Sequence, residues 1–352
     1  MTTIRAKQQP KTTAGYDAYW RFASKRQEIY LRKLSGTLKD NPPDDPILAV
    51  NRFTNAYRAS DRVSQFLISH VQYNQEWNWL DTFVRTLLFK IFNRIDTWNY
   101  LLEQIGEPDS NALFDRTIDA ALEELANHQP IYSAAYIMPP PRSSTGPKYV
   151  RHLDLLRTMI DEEAHRQIQD TSSMEQGYNI FLRYDSIGNF LAYQFISDLN
   201  YSSYLDYSEQ EFVVPGPGAI RGIRKCFLAT KDLSHEDLIR WMHDHQHEEF
   251  ETRQLPWDGL WGRDLQLIDI QNLFCEVDKY TRVAMPELSE FAPGTRIKQR
   301  YRPDPSPLTA WFPPKWGINE NIVFAPSPED IGIQESLFCD QEFVEEGQLT
   351  LV

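Results

Sequence analysis

Apolar residues recur at helical spacing along most of the chain, with polar positions between them and short Pro- or Gly-rich interruptions. Residues 16–34 carry Tyr19, Trp20, Phe22, Ile29, Tyr30 and Leu34 at intervals that place them on one side of a helix, and the Pro-rich stretch 41–46 ends it. From 47 to 125 the pattern is helical throughout, punctuated only by Gly106 and Pro108, with Ser110 or Asn111 as the expected cap of the next helix. A loop at 138–147 precedes a helix over 152–169. Residues 178–184, a tight turn at 185–188 and a helix over 189–201 read as helix, hairpin, helix. Val214-Pro-Gly-Pro-Gly218 is a rigid non-helical loop, Ser234 caps a helix running to about Phe250, and residues 269–280 form another. The pattern predicts an all-α fold without internal repeats.

Polar side chains threaded through these helices mark where chemistry is expected. If 55–61 is helical, Asn55, Arg58 and Asp61 follow one slowly drifting face and can converge on one ligand; the alternative is that Arg58 and Asp61 pair only with each other. Residues 269–280 hold a second cluster, with Gln271, Cys275 and Lys279 on one face and Asn272, Glu276 and Tyr280 on the next. Amides that read hydrogen-bond edges, carboxylates and an amine suit acid, base or nucleophile work on a polar base. The Gly188 turn and the start of the following helix present backbone N–H groups to which a phosphate could bind, although an ordinary interhelical turn has the same composition. His243 and His247 lie four residues apart, but the intervening residues do not match the zinc-protease pattern, and no metal site is expected.

Charge and composition change this picture in two ways. The net charge of −14 weighs against a polyanionic partner, yet residues 317–352 alone carry eight acids and no Lys or Arg, while basic groups cluster at Arg221, Arg224 and Lys225. That acidic tail could compete with nucleic acid for the basic patches. Three widely spaced cysteines suggest neither a disulfide framework nor a thiolate zinc site. With neither a secretion signal pattern nor a span-length apolar run, a cytoplasmic protein that does not enter membranes is expected. No P-loop is found.

Several spaced blocks taken together resemble one family: Tyr19-Trp20-x-Phe22-Ala-x-x-Arg26, Phe53-Thr-Asn55-x-Tyr57-Arg58-x-x-Asp61-Arg62, Gly188-x-Phe190-Leu-Ala-Tyr193-Gln194-x-x-x-Asp198, Gly216-Pro-Gly218 and Cys275-Glu276-x-Asp278-Lys279-Tyr280. The chain is similar, over about 16–285, to the alpha-glutamyl/putrescinyl thymine pyrophosphorylases, which are related to the helical domain of 5-hydroxymethyl-deoxyuridine DNA kinases. The resemblance implies an all-α, helix-hairpin-helix DNA glycosylase-like fold over 16–302, in two lobes that could part near 138–150. A disordered stretch at 1–15 and a Pro-rich, acidic, irregular tail at 303–352 flank it. It implies an enzyme of anti-phage defence that flips a bulky modified pyrimidine, such as glucosylated hydroxymethylcytosine, out of double-stranded DNA and excises it, needing no cofactor and acting as a monomer. The alternatives are a transferase that replaces pyrophosphate on a modified thymine with an amine, and a reader that binds modified DNA without chemistry.

On that reading Asp61, Glu276, Asp278 and Lys279 are the candidate catalytic groups. Asn55, Tyr57, Arg58, Tyr193, Gln271 and Asn272 would hold the base, and Gly188, Asn189, Arg221, Arg224 and Lys225 the DNA backbone. The chain departs from the glycosylase pattern in two places: Ser186 stands where the hairpin has its other glycine, and 214–218 lacks the usual catalytic aspartate.

Overall fold

The computed structural model describes residues 10–322, apart from 135–137, 143, 231–232, 291–295, 298, 303–307 and 309. The fold is all-α, with one short antiparallel strand pair, Lys11–Thr12 with Phe227–Ala229. None of the helices among the described residues is long and apolar enough to cross a membrane.

Helix α1 (Ala14–Leu34) begins where the Thr13 hydroxyl accepts the Gly15 N–H, satisfying one of the orphan donors of the first turn. Residues 10–15 are therefore built into the body, earlier than the expected boundary at 16. The stretch from 47 to 125, expected to be helical throughout, is broken more often. It comprises α2 (Pro46–Val50), an extended segment, a 3-10 turn (Arg58–Ser60), α3 (Arg62–Phe66) leading into a π-helical turn (Leu67–Gln72), α4 (Trp79–Phe92), α5 (Ile95–Ile105), α6 (Ser110–Phe114) and α7 (Thr117–His128). Asp109, rather than Ser110 or Asn111, caps α6. The single helix expected over 152–169 divides into α8 (Lys148–Asp161) and α9 (Ala164–Gln169) at Glu163, whose φ of 59° ends the first.

Helices α10 (Met174–Phe181) and α11 (Asn189–Leu199) flank the expected turn, and α12 (Pro217–Cys226), α13 (His235–Thr252) and α14 (Leu267–Ala284) complete the set. Two centres of packing result. Helix α4, buried along nearly its whole length, contacts α8, α9 and α11, while α14 contacts α1, α12 and α13. The closest approach is between α12 and α14. A Cβ built on Gly222 would overlap the Phe274 carbonyl, and one on Gly218 would stand 2.9 Å from the Cys275 Sγ. Glycines four residues apart on one face thus let two backbones touch.

Residues 310–322 return to the body rather than leaving it at 302. Ala310, Trp311 and Phe312 are buried, the Trp311 N–H donates to Gln65 Oε1 at 2.8 Å, and the Lys315 ammonium donates to the carbonyls of Asn200, Ser202 and Leu205. Of the tail's acids, Glu320 is described and the other seven lie outside the described residues.

Gly222→Ala forces α12 off α14 and is expected to cost about 1–3 kcal/mol or more, as overpacked contacts do. Urea unfolding of the two proteins checks this, and an unchanged midpoint would show that the helices can part freely.

Candidate active site

Arg26 stands among the apolar positions of α1 and is itself buried. Its guanidinium donates through Nε to the Thr54 carbonyl at 3.0 Å and through Nη2 to Asn55 Oδ1 at 2.7 Å, fixing the extended segment before the 3-10 turn. Phe53 packs edge-on against Phe22 of α1, with ring centroids 5.2 Å apart. The two backbone amides that follow each hold a carboxylate: Thr54 N–H donates to Glu276 Oε2 at 3.2 Å and Asn55 N–H to Asp61 Oδ1 at 2.8 Å. Consecutive Cα atoms are only about 3.8 Å apart, so Asp61 and Glu276 become neighbours although 215 positions separate them in the chain.

Asn55 closes the turn by donating through Nδ2 to the Ser60 carbonyl at 2.8 Å. Helix α14 places Glu276 and Lys279 one turn apart, and Lys279 Nζ meets Glu276 Oε1 at 2.5 Å. Asn55, Asp61, Glu276 and Lys279 are thus brought together, through backbone amides rather than along one helix face. Residues 55–61 are not α-helical, because the Asn55 and Asp61 side chains bond to backbone groups within the segment and stabilise a compact turn instead.

The electrostatics distinguish Asp61. Burial, reinforced by the nearby Glu276, outweighs the Asn55 hydrogen bond and the Arg26 and Arg58 guanidinium groups, and pushes its carboxyl up to about 7. A carboxyl that exchanges its proton near neutrality beside a second carboxylate is suited to general acid-base work.

Behind this pair lies a buried ionic chain. Asp198 on α11 binds Arg58 Nη2 at 2.7 Å and Lys90 of α4 at 3.1 Å, all three groups being buried. Arg58 also donates to Gln194 Oε1 through Nε and Nη2, at 3.2 and 3.0 Å, and to Tyr201 Oη at 2.8 Å. Arg58 thus serves α11 and its end rather than Asp61. Because a guanidinium only donates, Gln194 must present its Nε2 away from Arg58, and that buried donor has no partner among the described residues. The Gln271 Oε1 is likewise buried and unmatched, and Gln271 Nε2 lies 3.5 Å from Cys275 Sγ. Phe190, one turn before Gln194 on α11, and Gln271 both border the space that a side chain at Gly216 would take, at 3.0 and 3.6 Å. Sequence reading missed Arg26, Phe190 and Gln194 as members of this region.

Other expected site residues are placed elsewhere. Asp278 is fully buried; burial pushes its carboxyl up, but Lys225, Arg282 and Arg221 hold it below the usual carboxylate range. Lys225 spends its ammonium in that cluster and is inaccessible to a DNA backbone, whereas Arg221 is half-buried and Arg224 exposed. Tyr57 is buried, donates to the Arg263 carbonyl at 2.7 Å and stacks on Trp257, and Tyr193 is buried with its hydroxyl near the Phe212 carbonyl at 3.4 Å. Neither ring offers a free face as expected for stacking on a base. Asn272 is half-buried on α14 next to Gln271. Gly188 and Asn189 are exposed at the start of α11, after Ser186, whose φ of 68° takes the left-handed conformation that glycine adopts more readily.

The raised pKa of Asp61 carries a sign. Below about pH 4 the group is neutral in folded and unfolded chains alike. Between there and about 7 the unfolded chain has lost a proton that the folded chain keeps, so stability falls with rising pH across this window and stays lower above it. Asp61→Asn keeps an acceptor for the Asn55 N–H and removes the ionisation. It is expected to raise stability by on the order of 1 kcal/mol at pH 8 and by nothing near pH 4. Urea titrations at both values test this, and an equal difference at the two would contradict it.

A family model described as "5-hmdU DNA kinase, helical domain" matches residues 13–290, from the cap of α1 to beyond α14. The "5-hmdU DNA kinase" of Bacillus phage SP10 is 25% identical over 321 residues, which cover 84% of this chain and 50% of that protein. The chain thus spans about half the length of this curated relative. No solved structure matches. Of the two related groups that the sequence resembles, the model that matches is that of the kinases' helical domain, and it encloses every residue of the Asp61–Glu276 site: the chain belongs to the family of 5-hmdU DNA kinase helical domains.

Proposed function

We propose that this chain acts on a 5-substituted pyrimidine in DNA and cleaves the bond between that base and its deoxyribose, with Asp61 as general base. The observation that carries this reading is that adjacent backbone amides hold Asp61 beside Glu276, where burial pushes the Asp61 carboxyl up to about 7. Asp61 would take a proton from water as the oxygen bonds to C1′. The C1′–N1 bond would break with its electron pair leaving on the base, and Glu276 would stabilise the positive charge that develops on the sugar. Lys279 is ion-paired with Glu276 and fits the role of holding that carboxylate better than that of a nucleophile. Asp278 has no part, being enclosed by three cations.

Gln194 bears on the substrate. Its unmatched Nε2 is a fixed donor, which suits a pyrimidine carbonyl and disfavours the amino group at C4 of cytosine. Uracil-type bases fit better than glucosylated hydroxymethylcytosine, in line with the base named for the phage relative. The kinase activity in that name belongs to a protein of which this chain matches half, and it is not carried over. Exposed Gly188, Asn189 and Arg224 are available to DNA phosphates.

The second reading is the transferase, in which an amine displaces pyrophosphate from the 5-methylene of a modified thymine. It is favoured by Arg26 and Lys279, two cations flanking the carboxylates.

The test is incubation with DNA containing 5-hydroxymethyluracil, its pyrophosphorylated form, glucosylated hydroxymethylcytosine or no modification, followed by mass spectrometry of released products and an abasic-site assay. Free modified base with matching abasic sites is expected from uracil-type DNA, with a rate that rises with pH through about 7. Asp61→Asn should slow single-turnover release by roughly 10²–10⁴-fold while leaving DNA affinity nearly unchanged. Pyrophosphate release without abasic sites would establish the transferase instead, and binding without either product a reader.

A further inference from the structure

A cleft of about 430 Å³, whose walls include neither Asp61 nor Glu276, opens between the C-terminal half of α1 and the chain at 256–261. Gln27, Glu28, Arg32, Trp257, Asp258 and Trp261 are among its walls. The turn that forms one wall is unusual in its backbone. Gly259, Trp261 and Gly262 all have positive φ, at 66°, 51° and 90°, and Leu260 and Arg263 exchange backbone hydrogen bonds at 2.9 and 3.1 Å to close it. A tryptophan in the left-handed region is strained, and such strain persists where the surroundings impose it, commonly at ligand sites. Here Phe312 and Tyr30 brace the Trp261 ring, at 5.7 and 6.5 Å, and Trp257 is stacked between Phe250 and Tyr57.

Gln27 supplies the polar feature. It is buried, and its Nε2 donates to the Gly259 carbonyl at 3.0 Å, which fixes the amide orientation. Its Oε1 is therefore an acceptor, and it has no partner. At the rim Arg32 is paired with Glu28 at 2.5 Å, leaving the exposed Asp258 as the uncompensated charge among these groups. A ligand for this cleft should be planar and largely apolar, should bring an N–H donor, and should keep any phosphate away from Asp258. The volume accommodates a two-ring base with its sugar.

We propose that the cleft binds an aminopurine nucleoside, with the base against Trp261 and its exocyclic amine donating to Gln27 Oε1. The same chemistry is available from an unpaired adenine in a DNA strand, and the test separates the two sources. Isothermal titration of the full chain with adenosine should give saturable binding with a dissociation constant of about 0.1–1 mM. AMP and ATP should bind successively more weakly because of Asp258. N6,N6-Dimethyladenosine, which lacks the donor, should bind at least about tenfold more weakly, a comparison that needs no variant. Trp261→Ala should abolish binding at unchanged Asp61-dependent activity.

An adenine-containing single strand that binds more tightly than adenosine, and loses that advantage in Trp261→Ala, would identify the DNA base as the occupant. Absence of saturable binding by both adenosine and the strand, ATP binding more tightly than adenosine, or an undiminished affinity for the dimethyl analogue would overturn the proposal. None of these readouts depends on the chemistry proposed for Asp61.

Discussion

The placement of Asp198 between Arg58 and Lys90 constrains everything around the site. A buried carboxylate facing two buried cations is stable only if each charge is matched and the remaining hydrogen-bonding capacity is used, because desolvation of three ions costs more than loose pairing returns. Arg58 meets that demand with Asp198, Gln194 and Tyr201. Its backbone N–H is in turn held by Asp269 at 2.7 Å. The 3-10 turn cannot shift without breaking this network, and Asn55 and Asp61 sit at its two ends. Helices α4, α11 and α14 thereby fix the Asp61 carboxylate without touching it.

The second constraint is steric. Gly218 and Gly222 bring α12 so close to α14 that the intervening charges must be neutralised inside the interface, which is what Lys225 and Asp278 do at 2.9 Å. One helix then carries two carboxylates with opposite fates. Glu276 and Asp278 differ by two positions, about 200° around the helix, so one faces the Thr54 amide and the other the cations of α12. A single rotation of α14 decides which acid meets a substrate.

Much of this was legible in the sequence, and the failures have physical causes. Periodicity located α1, α11, α13 and α14 within a few residues, because each buries a continuous apolar face. It failed at 51–61, where apolar Phe53, Ala56 and Tyr57 are buried from a non-helical segment whose shape is set by side-chain bonds to backbone. The convergence of Asp61 with Glu276 was readable as two polar clusters but not as a contact, since the links are the backbone amides of Thr54 and Asn55, which a side-chain pattern does not mark. Arg26 could have been found: it lies at helical spacing from Tyr19, Phe22 and Tyr30, a charged residue on a stripe that must be buried. Lys225 could not, because an exposed basic patch and a buried ion pair have the same composition.

The distribution of unmet polar groups separates structure from function more sharply than residue type does. Asp269 has burial pushing its carboxyl up to about 6, yet both oxygens accept backbone N–H groups, at 2.7 Å from Arg58 and 3.0 Å from Gln266, so it serves as a capping group. Asp61 has one recorded backbone bond, through Oδ1, and a higher pKa. Gln194 and Gln271 each hide an unmatched amide atom, a cost of about 1–3 kcal/mol apiece. Polar groups that are buried and unmatched lower stability, so the open amide atoms of Gln194 on α11 and Gln271 on α14 argue for a partner that the folded chain does not itself contain.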